Sequence, residues 1–230
     1  MGFFTNMIQA FNHGGFVMWV IFAGQMVSIA IIAERVYALY IKRTLNNRET
    51  AKSLEEEIKK GQLEQVIKKT QLLSGSGSAI GKTILAGTQA ARNHGGNEEI
   101  QSKMDEVLLA EGSVLEKRTG FLAAIGNIGT LAGLLGTIIG LIDSFQAVAN
   151  SNPVEKAALL SNGISMAMHA TAYGLIMAIP ALIMFAVLQN RANALADDLN
   201  QSALMVSNWL SYNYEPMKDK TTRRASNLNN

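Results

Sequence analysis

Hydrophobic and polar positions along the chain sort into three long apolar blocks separated by polar, periodically patterned stretches. Residues 14–33 and 120–142 carry no charged side chain, and in 157–190 the only side chain that titrates near neutral pH is His169. A helix needs roughly 20 predominantly apolar residues to cross a ~30 Å hydrocarbon core. Each block is long enough, and the third exceeds the requirement, so it is expected to tilt or to emerge from the membrane. Three buried helices of a soluble bundle fit the pattern poorly, because soluble helices rarely run past about 20 residues without a charge. The first block has no Lys or Arg before it and Glu34-Arg35 after it, the reverse of a secretory signal, and reads as a retained span.

Between the blocks the pattern is helical. Over 51–71, Leu54, Ile58, Leu63, Val66 and Ile67 recur among Glu and Lys at amphipathic spacing. Ser74-Gly75-Ser76-Gly77-Ser78 predicts a break with Ser78 as N-cap of the next helix, and Asn93-His94-Gly95-Gly96-Asn97 predicts a second break. From Glu98 on, Ile100, Met104, Val107, Leu108, Glu111, Val114 and Leu115 keep helical spacing into the second block with no Pro or Gly pair to stop them. One long helix is therefore expected there, with a similar extension of the third span through Leu195, Leu199 and Leu204. Asn152-Pro153 marks the turn between the last two spans, and 221–230 is polar and expected to be disordered.

Charge orients the spans. Residues 1–13 contain no Lys or Arg; Arg35, Lys42, Arg43 and Arg48 follow the first span, and Lys103, Lys117 and Arg118 precede the second. The connection 143–156 has one cation, Lys156, whereas Arg191, Lys218, Lys220, Arg223 and Arg224 follow the third span. The positive-inside rule then gives an outer segment 1–13, a span 14–33, a cytoplasmic helical loop 34–119, a span 120–142, a periplasmic connection 143–156, a span 157–190 and a cytoplasmic extension and tail 191–230.

Composition narrows the chemistry. The net charge of +2 is too small to imply a nucleic-acid partner, and the absence of cysteine removes disulfides, thiolate nucleophiles and Cys-ligated zinc. His13, His94 and His169 lie in separate segments without metal-ligand spacing, and no nucleophile–base pair is evident, so neither a metal, a cofactor nor covalent catalysis is expected. Gly75-Ser-Gly-Ser-Ala-Ile-Gly81-Lys82-Thr83 resembles a phosphate-binding loop, but Ser76 stands where that motif needs its first glycine and no strand precedes it.

The second span is rich in glycine, with Gly129/Gly133 and Gly136/Gly140 as small-xxx-small pairs alongside Gly126. In the third, Gly163, Ala167, Ala170, Gly174 and Ala178 share about a quarter of the circumference at ~100° per residue. In lipid, close backbone approach replaces the hydrophobic effect as the source of helix association. Packing within one subunit and between subunits are equally compatible with any single glycine, but the two faces together exceed what a lone subunit is expected to need. Polar groups within the spans include Asn127, Thr130, Thr137, Ser161, Asn162, Ser165 and Thr171. His169, an ionisable intramembrane residue and so a functional candidate, lies roughly 140° from the small face. No Asp or Glu lies within a span, so a carboxylate that carries ions through would have to come from another chain.

Gly133-Leu-Leu-Gly136-Thr137-Ile-Ile-Gly140-Leu-Ile-Asp-Ser-Phe145 and Gly163-Ile-Ser-Met-Ala-Met-His-Ala-Thr171-Ala-Tyr-Gly174-Leu-Ile-Met-Ala-Ile-Pro180-Ala resemble the MotA/TolQ/ExbB proton-channel family. Ala33-Glu34-Arg35-Val-Tyr37 resembles it too, and the three-span count resembles the ExbB/TolQ branch. The resemblance implies an all-α membrane protein of the bacterial inner membrane, assembled as a homo-pentamer in contact with lipid. It also implies an ExbD/TolR-like single-span partner that supplies the ion-carrying aspartate. Thr137 and Thr171 match the family's pore-lining threonines; Gly133, Gly136, Gly140, Gly163, Gly174, Ala178 and Pro180 are expected in helix packing or partner contact, with Pro180 kinking the span and freeing a carbonyl near the pathway. The chain departs from the family at Met166, where Glu is frequent, and at Gly129-Thr130-Leu131, where Pro is frequent, which leaves sodium as well as proton as the ion. The expected function is a stator-like channel subunit driven by an ion gradient. The alternatives are a passive oligomeric scaffold and a transporter subunit, the latter disfavoured by the absence of repeated halves.

Overall fold

The computed structural model describes residues 15–43, 46–93, 96–149 and 151–214. The expected outer segment 1–13, His13, His94 and the tail 221–230 lie outside the described residues. All regular structure among those described is helical. Helix α1 (Gly15–Val36) continues into a π-helical turn, Tyr37–Ile41; α2 (Asn47–Ser53), α3 (Glu55–Lys59), α4 (Leu63–Gly75), α5 (Ala79–Arg92) and α6 (Asn97–Glu116) follow, then α7 (Thr119–Ala149) and α8 (Pro153–Tyr214). Three stretches are long and apolar enough to cross a membrane, Phe16–Ile41, Asn97–Ala149 and Pro153–Ser211. Only 22%, 22% and 28% of their most apolar windows are buried by the chain itself, so the remaining surface must face lipid or other subunits.

Two compact units form, one from 1–42 with 116–191 and one from 43–115 with 192–230. In the first, α1 packs on α7, and α7 packs on the first part of α8. The helix start at Pro153 uses a residue with no N–H to lose at the first helical position.

The second unit has a conventional apolar core. Leu54, Ile58, Leu63 and Val66 are buried against Ile80, Ile84, Ile100, Met104, Leu199, Val206 and Leu210. The amphipathic face expected over 51–71 is therefore the buried one, but it is carried by three short helices instead of one, with Gly61 at φ 71° turning the chain into α4. Such a positive φ is cheap only for glycine. The serine-glycine stretch ends α4, Gly77 adopts φ 85°, and Ser78 Oγ accepts the Gly81 N–H at 3.3 Å as the expected cap. Lys82, the lysine of the phosphate-loop lookalike, donates instead to Glu111. Leu195 and Leu199 are buried as expected, whereas Leu204 is 60% exposed: Ala203 and Val206 hold the inward positions, because the helical face drifts by one residue over this length.

The expected unbroken helix into the second span is interrupted. Arg118 sits at φ 64°, ending α6 and starting α7 afresh. A non-glycine residue pays about 1 kcal/mol or more for this conformation. Its guanidinium reaches Glu34 at the end of α1, Nη1 to Oε2 at 2.7 Å, an exposed contact within the unit. Elsewhere backbone freedom is wasted: a methyl group on Gly112, inside α6, meets nothing within 4 Å. Gly112→Ala is expected to raise stability by about 0.5–1 kcal/mol, read as a shift in the chemical-unfolding midpoint.

Candidate functional site

Helices α7 and α8 meet along an antiparallel seam of small residues. A methyl group placed on Gly174 would lie 2.6 Å from the Gly129 carbonyl oxygen and 2.9 Å from Gly133 Cα. One on Gly133 would lie 3.1 Å from both the Ala170 oxygen and Thr171 Cα. Toward the α7–α8 connection the seam continues as Gly136 on Ala170, Gly140 on Ala167, and Gly163 on Ser144. In the other direction Gly126 meets Leu182 and the Ala178 carbonyl. Met177 fills the space beside Gly24 and Gly129, tying α1 to the pair.

The small faces are thus turned on one another within one chain. Gly133, Gly136, Gly140, Gly163 and Gly174 line this seam, with the Ala178 carbonyl reaching Gly126. The short connection between α7 and α8 makes them antiparallel neighbours, which brings the two small faces together.

Hydroxyl groups flank the seam. Thr130 Oγ1 donates to the Gly126 carbonyl at 3.2 Å, Thr137 Oγ1 to Leu134 at 2.6 Å and Ser144 Oγ to Gly140 at 2.5 Å. All three return their proton to their own helix, a common fate of hydroxyls in helices. Thr171 does not. Its Oγ1 donates across the seam to the Gly133 carbonyl at 3.2 Å and stands 3.5 Å from Thr137 Oγ1. The two threonines named from sequence, 34 residues apart, are therefore neighbours and half-buried. Since Thr137 spends its proton on Leu134, its remaining lone pairs can only accept. The pair offers oxygen acceptors to a cation or to a protonated group, but no side chain that holds a proton near neutral pH.

His169 is exposed on the side of α8 away from the seam. Pro180 lies on that side too, within a helix that continues through it to Tyr214. The carbonyl that Pro180 deprives of its donor is that of Ile176, 53% exposed and ~140° around the helix from Thr171. Within one chain, neither His169 nor the freed carbonyl adjoins the threonine pair.

Sequence reasoning passed over Glu111. It occupies a position of the apolar face of α6 and is 6% exposed. Its Oε2 accepts from Arg43 Nη2 at 2.6 Å and its Oε1 from Lys82 Nζ at 2.7 Å. Burial pushes this carboxyl upward, but the hydrogen bonds from Lys82 and Arg43, reinforced by their charges, outweigh it and hold it below the ordinary value of 4.5. The signal in the sequence was a lone acid at core spacing. Among the described residues, no group of three His, Cys, Asp or Glu side chains could hold a metal ion.

An all-helical chain with three membrane-spanning candidates and a threonine pair beside a glycine seam defines a class of multi-pass membrane protein without an internal ion-binding carboxylate at its centre. The model of the MotA/TolQ/ExbB proton channel family matches residues 76–201, more than half of the chain, and the chain belongs to that family. It is 33% identical over 117 residues to the Tol-Pal system protein TolQ of Haemophilus influenzae, covering 51% of this chain and 46% of that one. It is 31% identical over 114 residues to the biopolymer transport protein ExbB of Salmonella typhimurium, covering 50% and 46%. A putative ExbB homolog from Methanothermobacter thermautotrophicus is 24% identical over 213 residues, 91% of this chain and 72% of that one. The matched region thus spans about half the length of the bacterial relatives.

Proposed function

We propose that the chain is the channel subunit of an inner-membrane motor that lets protons, or sodium ions, down their gradient and couples the flow to movement of a partner. The observation that carries this reading is the Thr137–Thr171 pair, whose hydroxyl oxygens stand 3.5 Å apart with Thr171 bridging the α7–α8 seam. Its lone pairs suit a carboxylic acid or a cation passing by, and the spans contain no acid of their own to carry one. An ExbD/TolR-like single-span partner would bring the aspartate, inside a ring of these subunits taken as five. Transfer of one elementary charge through 100 mV releases about 2.3 kcal/mol, enough per ion to bias a conformational step. The N-terminus is read as periplasmic and the C-terminus as cytoplasmic from the distribution of Lys and Arg.

The test is native mass spectrometry of the protein co-expressed with its neighbouring single-span gene product, followed by ion flux into vesicles. A five-to-two complex is expected. Thr171→Ala and Thr137→Ala are expected to assemble normally and to lower flux about tenfold each, the scale of a lost hydrogen bond to a charged group. A homo-oligomer that never takes up the partner, with both variants behaving as wild type, would favour a passive membrane scaffold.

A further inference from the structure

The π-helical turn after α1 carries a stacked guanidinium. Arg191 of α8 lies over the Tyr40 ring, with Cζ 5.0 Å from its centroid. Its Nε is buried and has no hydrogen-bond partner among the described residues, where Arg191 forms no ion pair either. The undescribed residues contain two acids, Glu215 and Asp219, and both follow the end of α8, the nearer one 24 positions beyond Arg191. Its neighbours in sequence position are better supplied, since Arg35 and Arg118 both reach Glu34. Residues 34–42, 116–118 and 191, all of the first unit, together hold five cations against Glu34 and Glu116.

Depth and charge select the ligand. Arg191 is the first charged residue after 157–190, a run free of Asp, Glu, Lys and Arg, and Glu34 is the first after 14–33. Tyr37 and Tyr40 follow Glu34 by three and six residues, about 5 and 9 Å of helix rise. The headgroup layer on each side of the hydrocarbon is about 5–8 Å deep. Tyr37, Tyr40 and Ile41 are exposed while Leu39 between them is buried, so this side of the turn faces outward at headgroup level. Tyrosine there keeps its ring at the hydrocarbon edge and its hydroxyl in water. The layer presents phosphodiesters, whose oxygens fit the planar N–H fork of a guanidinium. With Nε buried, the two Nη groups are left to donate. The excess of cations repels an ammonium group on the same headgroup and favours one that is negative overall.

We propose that Arg191, held flat on Tyr40, binds the phosphate of an anionic phospholipid, with Tyr37 and Ile41 against the upper part of its acyl chains. Tyr40 is a positioning residue, because it fixes the plane in which the Nη groups donate. The site stands whether or not the threonine pair conducts ions.

The experiment is native mass spectrometry of the full-length protein equilibrated in detergent with equal phosphatidylglycerol and phosphatidylethanolamine. The wild type is expected to retain phosphatidylglycerol in preference, and Arg191→Gln to lower that preference at least about tenfold, the scale of a hydrogen bond to a charged group. Tyr40→Leu keeps the charge but removes the ring beneath it, and should lower the preference about threefold, as an exposed cation–π contact provides. Lys117→Gln takes an exposed charge from the same unit and should cost no more than about fivefold, the weight of one cation near a membrane surface. An unchanged preference in Arg191→Gln or Tyr40→Leu overturns the proposal. So does an equal drop in Lys117→Gln and Arg191→Gln, which would mark a diffuse basic surface. Displacement of the lipid by excess inorganic phosphate would assign the site to a soluble anion instead. Loss of subunit association in Arg191→Gln with lipid content unchanged would give the guanidinium to a protein carboxylate.

Discussion

Gly174→Val separates α7 from α8 and is expected to lower the stability of the folded chain by about 3 kcal/mol, the upper part of the range for overpacking. The reason lies in what the new side chain meets. Its Cβ would fall 2.6 Å from the Gly129 carbonyl oxygen, 2.9 Å from Gly133 Cα and 3.2 Å from Gly133 N, all backbone atoms of a facing helix. A side chain in that position could turn away; a helix backbone can only retreat as a body. Retreat stretches the 3.2 Å contact from Thr171 to the Gly133 carbonyl and opens the neighbouring contacts of Gly136 and Gly140. Without a hydrophobic driving force between helices in lipid, those contacts are the main source of association. Gly24→Ala is the instructive contrast. Its methyl group would meet Met177 Cε, the free end of a flexible chain that can swing aside. Gly120, with nothing within 4 Å, should accept alanine without loss. Steric-trap or denaturant unfolding of the three variants in one detergent ranks them. Wild-type stability of Gly174→Val would mean that the seam is looser than its distances state.

Removing the carboxylate of Glu111 is the second large change, and it has a pH signature. Glu111→Ala is expected to cost about 2–4 kcal/mol at pH 7, since it strands Arg43 and Lys82 around a buried gap. The figure stays below that of a wholly buried pair because the Lys82 side chain is 40% exposed and keeps some water. The folded state holds the Glu111 carboxyl below 4.5, so it binds a proton less readily than the unfolded chain does. Its contribution is therefore fully present above about 4.5 and is lost as pH falls through the lowered folded-state value. The stability gap between wild type and Glu111→Gln should narrow as the pH falls from about 4.5 through the lowered folded-state value. A gap that is the same at pH 7 and at pH 3.5 would assign the effect to packing and not to charge.

Some of this could be read before any fold was known. The absence of charge over 14–33, 120–142 and 157–190 follows from the cost of taking ions into hydrocarbon, and that cost acts on composition alone. The pairing of Ser78 with the Gly81 N–H is equally local, because a cap needs only a side-chain oxygen and three residues. The threonine pair was legible by another route, the resemblance of its two motifs to known channel subunits. Periodicity could not say that Thr137 lies across from Thr171.

What the sequence determined by itself is which surfaces are small, apolar or charged, because composition and helical period are properties of consecutive residues. Which surfaces meet was decided by the tertiary structure. The glycine faces of α7 and α8 had to be brought together before they could be seen to pack on one another. Arg118, in a conformation its own backbone disfavours, has its guanidinium on Glu34, 84 residues away in sequence. Glu111 stays charged among core positions because Arg43 and Lys82 arrive from other segments and outweigh its desolvation. Each depends on residues far apart in the chain, and local patterns carry no information about what closes that distance.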